Sequence, residues 1–149
     1  MKIALAADHN GFELKAIISE VLKKAGHAVL DVGPHSFDPL DDYPDYAKIL
    51  AKSVSEKASD RGIMICGSGV GASVAANKVK GVRAAMCHDL YSAHQGVEHD
   101  DLNVLCLGSR IIGSEVAREL VITFVNAEYT REERHQRRLE KILDMEDEF

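Results

Sequence analysis

Five short, nearly continuous apolar runs punctuate this chain: Ile3 to Ala7, Ala28 to Val32, Gly62 to Cys66, Arg83 to Cys87 and Asn103 to Leu107, each followed by Gly, Asp or His. Runs with little alternation suit strands buried on both faces, because a half-buried strand would switch between apolar and polar residues. Helix-period segments separate them at Phe12 to Lys24, Tyr46 to Lys57, Ala72 to Val79 and Leu90 to Val97, and another, Ser114 to Asn126, follows the last run. This alternation predicts an α/β three-layer sandwich around a five-stranded parallel sheet with right-handed crossovers. With five strands to arrange, the expected order is flavodoxin-like, 2-1-3-4-5, with a switch point between strands 1 and 3. Ligands bind outside the carboxyl ends of the strands at such a point, which directs attention to Asp8-His9 and to Cys66-Gly67.

The 149 residues, 46% hydrophobic, form a single expected domain over 1–149, with no repeat, low-complexity tract or linker. A chain of that size buries roughly 70% of its unfolded surface on folding. A net charge of −6 argues against a nucleic-acid partner, since affinity for phosphate backbones depends on clustered Lys and Arg. No apolar run approaches the ~20 residues needed to span a bilayer, and Met1-Lys2-Ile3 runs straight into a strand pattern without a secretory signal. Three cysteines, an odd number, do not suggest a disulfide framework but thiols in a reducing compartment, and the cytoplasm is expected. Gly33 to Pro44 carries all three prolines and reads as a long loop. The segment 130–149 reads as a very polar helix whose thin apolar stripe is Leu139, Ile142, Leu143 and Met145. Such a helix buries little against its own domain and is expected to pack on a partner subunit.

The segment Cys66-Gly67-Ser68-Gly69-Val70-Gly71 joins a buried strand to a helix. Its glycines can take positive φ, and its backbone N–H groups can converge on an anion. A Walker loop would need Gly-Lys-Ser/Thr at its end, a C-x5-R phosphatase loop would need Arg where Ala72 stands, and a dinucleotide fingerprint needs G-x-G-x-x-G after the first strand. The glycines alone fit a tight strand-to-helix turn equally well. Cys66 adds chemistry, because a thiolate at a helix N-terminus is favoured by the macrodipole and can serve as a base near neutral pH. Cys87 and Cys106 read as small buried hydrophobes.

Asp8-His9 ends the first strand before the turn dipeptide Asn10-Gly11, so the pair either faces the ligand edge or caps the following helix. Arg110 follows Gly108-Ser109 on the same edge. His99-Asp100-Asp101 lies just before the fifth strand, at the opposite edge, so within one subunit His99 should not reach Cys66. It is either a surface histidine or part of a neighbour's site. Arg134 and Arg138 lie one turn apart on the terminal helix, a spacing that suits a phosphate monoester and equally a solvated basic face. The seven histidines show neither H-E-x-x-H nor paired-cysteine spacing, so a metal site is not expected.

Taken in order, Ala7-Asp8-His9-x-Gly11-x-x-Leu14-Lys15, Asp42-Tyr43-Pro44, Cys66 to Gly71, Ala75-Ala76-Asn77-Lys78 with Gly81-x-Arg83, Asn103-Val104-Leu105 with Gly108-Ser109-Arg110, and Arg134-His135-x-x-Arg138 closely resemble the ribose-5-phosphate isomerase type B family. That family also includes galactose-6-phosphate isomerase subunits and allose-6-phosphate isomerases. The resemblance implies a Rossmann-like fold, no cofactor, and an active site shared across a homodimer, with tetramers built of such dimers as the other assembly. It implies that Cys66 moves the proton between C1 and C2 of ribose 5-phosphate or ribulose 5-phosphate, and that Gly67, Ser68, Gly69, Val70 and Gly71 bind the enediolate, Ser68 with its hydroxyl. It also implies that Asp8, His9 and Tyr43 contact the substrate, that the partner's His99 opens the sugar ring, and that Asp100, Arg110, Arg134 and Arg138 complete the contacts. One branch of the family uses a glutamate directly after the last loop glycine; Ala72 stands there, which leaves Cys66 as the base. Ser68 replaces a common Thr and keeps the hydroxyl. Asp100 replaces a usual Asn, exchanging an amide donor for a group that only accepts when ionised, which leaves another phosphosugar as an alternative substrate. A non-catalytic phosphate- or nucleotide-binding module on the same fold is the alternative from a different class.

Overall fold

Successive side chains of a β-strand leave on opposite faces, and the first strand, β1 (Lys2–Ala7), divides its apolar residues accordingly. Ile3, Leu5 and Ala7 join one core and Ala4 and Ala6 the other. β3 (Arg61–Cys66) repeats the division with Ile63 and Ile65 against Met64 and Cys66, and β5 (Val104–Gly108) with Leu105 and Leu107 against Val104 and Cys106. Every one of these side chains is at most 4% exposed. Burying one large aliphatic chain contributes about 1.5–3 kcal/mol, so these three strands supply a large share of the hydrophobic stabilisation. The structure is a computed structural model describing residues 1–148.

β2 (Ala28–Asp31) and β4 (Ala84–Met86) complete a parallel sheet of order β2-β1-β3-β5-β4. The α/β sandwich and the divergence of the chain between β1 and β3 match the sequence reading; the last two strands exchange places relative to the expected 2-1-3-4-5. The exchange follows from burial. β4 has three residues, none fully buried, and suits an edge, whereas all five residues of β5 are buried and take the interior beside β3. The exchange brings the end of β5, with Gly108-Ser109-Arg110, directly beside Cys66, because Cys66 pairs with Gly108.

α1 (Phe12–Lys24), α4 (Leu90–Asp100) and α5 (Ser114–Asn126) cover one face with Ile18, Val97 and Phe124, while α2 (Tyr43–Ser55) and α3 (Val70–Ala76) cover the other with Leu50 and Ala76. α2 begins three residues earlier than its periodicity suggests, because Pro44 occupies the first turn, where its missing N–H costs nothing. α3 stops short of the expected Val79. Asn77 leaves the helix to accept from the Ala84 N–H at 2.9 Å and donate to the Ala84 carbonyl at 2.8 Å, acting as a surrogate strand partner for β4. α4 runs one turn further than expected, to a left-handed Asp101, so His99 stands in its last turn.

α6 (Glu133–Glu148) packs against α4 of its own chain, and the expected helix over 130–149 ends at Phe149, outside the described residues. Of its apolar stripe only Leu139 is buried; Ile142, Leu143 and Met145 are 40%, 37% and 58% exposed. No helix among the described residues is long and apolar enough to cross a membrane.

Candidate active site

The carboxyl ends of β1, β3 and β5 are stitched together by backbone bonds. The Asp8 N–H donates to the Ile65 carbonyl at 3.1 Å, the Ser109 N–H to the Cys66 carbonyl at 2.9 Å and the Arg110 N–H to the Gly67 carbonyl at 3.0 Å. The Ser109 hydroxyl adds a bond to the Asn10 carbonyl at 2.8 Å. Three loops are thereby held edge to edge around a cleft of about 320 Å³. Asp8, Asn10, Tyr43, Arg110 and Ile111 form its walls, and Cys66, Gly67, Ser68 and Gly71 form its floor.

Cys66 is the last residue of β3 and 4% exposed, and its Sγ accepts the Gly69 N–H at 3.1 Å. One loop amide thus points directly at the sulfur. The support is therefore local, from one loop amide, since α3 is only seven residues long and starts at Val70. Gly69 is in the left-handed region with φ +85°, and a Cβ there would lie 2.9 Å from Met86 Cγ, so the bond to Sγ depends on glycine. A Cβ at Gly71 would meet Tyr43 Cζ at 2.5 Å, so that glycine lets the Tyr43 ring close over the loop. The other two cysteines are core residues: burial pushes the Cys87 thiol up to about 11 and the fully buried Cys106 thiol higher still.

Asp8 fills both roles read from its position. Its Oδ1 accepts from the Asn10 and Gly11 N–H groups at 2.9 and 3.1 Å, shaping the turn into α1, while the side chain lines the cleft. His9 stands at the rim with Nδ1 2.7 Å from Asp41 Oδ1, and its ring is raised above the ordinary histidine value, first by that hydrogen bond and further by the charges of Asp8 and Asp41. Asn10 spans the mouth, its Oδ1 accepting from Arg110 Nη2 at 2.6 Å. Neither Asn10 nor Asp41 stands out in the sequence. Asn10 reads there as half of a turn dipeptide, and the reach from Asp41 to His9 across 32 residues leaves no local pattern.

His99, Asp100, Arg134 and Arg138 do not line this cleft. α4 starts beyond the carboxyl end of β4 and returns to the amino edge, where Arg83 donates to Asp101. That is the length of a strand away from Cys66, ~20 Å for the six residues of β3 at about 3.3 Å each. There the His99 ring stacks on His135, with centroids 3.9 Å apart at 26°. Gln95 Nε2 donates to His99 Nδ1 at 2.7 Å, which leaves the ring proton on Nε2. His135 is 1% exposed; the Thr130 hydroxyl donates to the Glu98 carbonyl and so accepts from His135 Nδ1 at 2.7 Å. Burial, with His99 and the nearby arginines, holds His135 below the usual histidine range, and its Nε2 has no partner. Arg134 and Arg138 are exposed on α6, Arg134 with its Nε 2.9 Å from Glu132. Among the described residues no group of His, Cys, Asp and Glu is arranged to hold a metal ion.

The pattern of the Ribose/Galactose Isomerase family matches residues 3–142. The ribose-5-phosphate isomerase B of Escherichia coli is 45% identical over 97% of this chain and 96% of its own length. A Pectobacterium atrosepticum protein named D-erythrulose-4-phosphate isomerase is 39% identical over 87% of this chain and 85% of its own. The crystal structure of ribose-5-phosphate isomerase B from Mycoplasma genitalium, with ribulose 5-phosphate bound, superposes with a TM-score of 0.95 at 46% identity, covering 99% of this chain and 97% of that one.

Proposed function

The chain belongs to the ribose/galactose isomerase family, and from that membership and the Cys66 cleft we propose that it interconverts ribose 5-phosphate and ribulose 5-phosphate. The observation that carries the reading is Cys66 Sγ at the floor of an open cleft with a loop N–H bonded to it. Aldose–ketose exchange needs a base beside C1 and C2, donors for the oxyanion that forms when the proton leaves, and an acid–base group to open the sugar ring. Cys66 takes the proton from C2 of the open aldehyde, and the electron pair moves through the C1–C2 bond onto O1. The amides of Gly67 to Gly71 bind the enediolate, and the Ser68 hydroxyl passes the hydroxyl proton from O2 to O1. Return of the carbon-bound proton from Cys66 to C1 gives the ketose. Asp8 and Tyr43 hold the sugar, and His9 and Arg110 hold its phosphate at the rim, whose remote binding energy positions the reacting carbons.

Ring opening falls to His99, whose Nε2 proton suits a general acid and whose distance from Cys66 within one chain requires a second copy. An isologous dimer brings each amino-edge corner to the other chain's cleft, with Asp100, Arg134 and Arg138 arriving alongside His99. The unpartnered apolar residues of α6 support the same arrangement. Three free thiols support a reducing compartment, the cytoplasm.

Formation of ribulose 5-phosphate is the direct test. General acid–base groups contribute about 10²–10⁴-fold, so Cys66→Ala should lose on the order of 10³-fold or more in kcat with its near-ultraviolet spectrum unchanged. Wild type no faster than that variant removes the assignment. A second reading, isomerisation of a phosphosugar of different length, is favoured by Asp100, whose carboxylate cannot donate to the hydroxyl an amide would reach. The same assay run across four-, five- and six-carbon phosphates separates the two by kcat/KM.

A further inference from the structure

Hydrogen bonding at the cleft mouth determines which proton His9 carries. A guanidinium only donates, so the Asn10 atom 2.6 Å from Arg110 Nη2 is the amide oxygen. The amide nitrogen therefore turns inward, toward Asp8 Oδ2 at 3.4 Å and His9 Nε2 at 2.9 Å. An NH₂ group aimed at Nε2 needs a lone pair there, which leaves the ring proton on Nδ1, donated to Asp41 Oδ1 at 2.7 Å. With Arg110 in place, His9 is neutral.

The rest of the surroundings pull the other way. Facing the ring are Asp41 from the loop before α2 and Asp8 from the end of β1, with Arg110 from the end of β5 one hydrogen bond further out and the un-ionised Tyr46 of α2 near Asp41. The Asp41 side chain is 5% exposed, also accepts the His9 backbone N–H at 2.9 Å, and keeps its second oxygen unpartnered. Two carboxylates thus favour an imidazolium that one amide prevents, and the amide is itself held by the arginine expected to meet a phosphate.

We propose that Asn10 is a positioning residue that keeps His9 neutral while it is bonded to Arg110, and that a phosphate monoester, by drawing Arg110 away, frees Nε2 to take one proton from solvent and donate it to the ligand. This rests on the phosphosugar reading of the cleft. Binding is then coupled to uptake of a proton, and His9 joins Arg110 as a cationic donor to the bound phosphate at the cleft mouth.

Titration of ribose 5-phosphate into Cys66→Ala tests this, since that background stops turnover. At about pH 7.5 a phosphomonoester, with its second pKa near 6, is already a dianion and contributes little proton exchange. Calorimetry in buffers of different ionisation heat should show uptake of about one proton per site, and Kd should rise about tenfold per pH unit above that pH. Adding His9→Asn should abolish both while weak binding persists. Adding Asn10→Ala should leave affinity measurable but cut the uptake by more than half, because the ring is protonated before the ligand arrives. Asn10→Asp, which accepts from both Arg110 and a protonated His9, should do the same and covers the case in which the alanine variant fails to fold. Binding without uptake, or uptake that survives His9→Asn, overturns the coupling and leaves the phosphosugar reading intact. Absence of any saturable binding overturns that reading, and the inference with it.

Discussion

At the carboxyl edge of the sheet, Cys66, Asp8 and Arg110 are drawn around one cleft by backbone bonds between adjacent strand ends, whereas at the amino edge His99, Arg134 and Arg138 stand on helices and line no part of that cleft. Both sets carry groups suited to phosphosugar chemistry, but only the first converges within one chain. A parallel sheet explains the asymmetry: all its strands end at one edge, so loops there gather automatically, while helices return the chain to the other edge. Side chains at the end of a returning helix can join the cleft only from another molecule. The amino-edge corner is nonetheless ordered in advance, with Gln95 setting the His99 proton and His135 stacked beneath it.

The sharpest way to break this contrast is subunit mixing. If the proposed homodimer shares its sites, Cys66→Ala and His99→Ala should each disable every site of their own homodimer. After random exchange about half the dimers are mixed, and each mixed dimer regains one intact site of two, so activity should return to about a quarter of wild type. Against parents reduced about 10²–10⁴-fold, that is a recovery of at least tenfold. No recovery despite exchange proven by mass spectrometry would mean that the two edges do not serve one site. A smaller effect is expected at the arginines. On the proposed phosphate contacts, Arg134→Gln or Arg138→Gln should each remove a charge-assisted bond of about 1.5–3 kcal/mol, raising KM for ribose 5-phosphate roughly tenfold to hundredfold. Unchanged KM in both variants would return that pair to a solvated basic face.

The sequence exposes the two edges unequally. α1 and α5 run over the predicted residues because their apolar spacing is helical throughout, and the ends of β1 and β3 could be placed at the ligand edge from topology alone. The exchange of β4 and β5 was not legible in strand order rules, although the shortness of β4's fully apolar stretch, Ala84–Met86, is what makes it an edge. Cys66, Asp8 and Arg110 were legible because each adjoins a glycine turn. Asp41, Asn10 and His135 were not, since what matters about them is a partner reached through space. His135 in particular reads as one more polar residue in a charged helix, and only its burial beneath His99 gives it a task.

That task defines the smallest expected effect. His135 is held neutral by burial, so its folded pKa lies below that of the unfolded chain. The unfolded state then binds more protons as pH falls below about 6.5, and stability should decline with decreasing pH through that window and level off below the folded value. His27 and His88, shifted the same way by burial, contribute to the same decline. His135→Phe removes the titration but keeps a flat ring under His99, so the acid loss of Tm should become shallower while kcat stays within a few-fold of wild type. His135→Ala removes both, and kcat should fall by several-fold as His99 loses its platform, a change of about 1 kcal/mol. Equal kcat in the two variants would show that the stack merely fills space; a kcat that tracks the ring would show that the amino edge is preassembled to act in the partner's cleft.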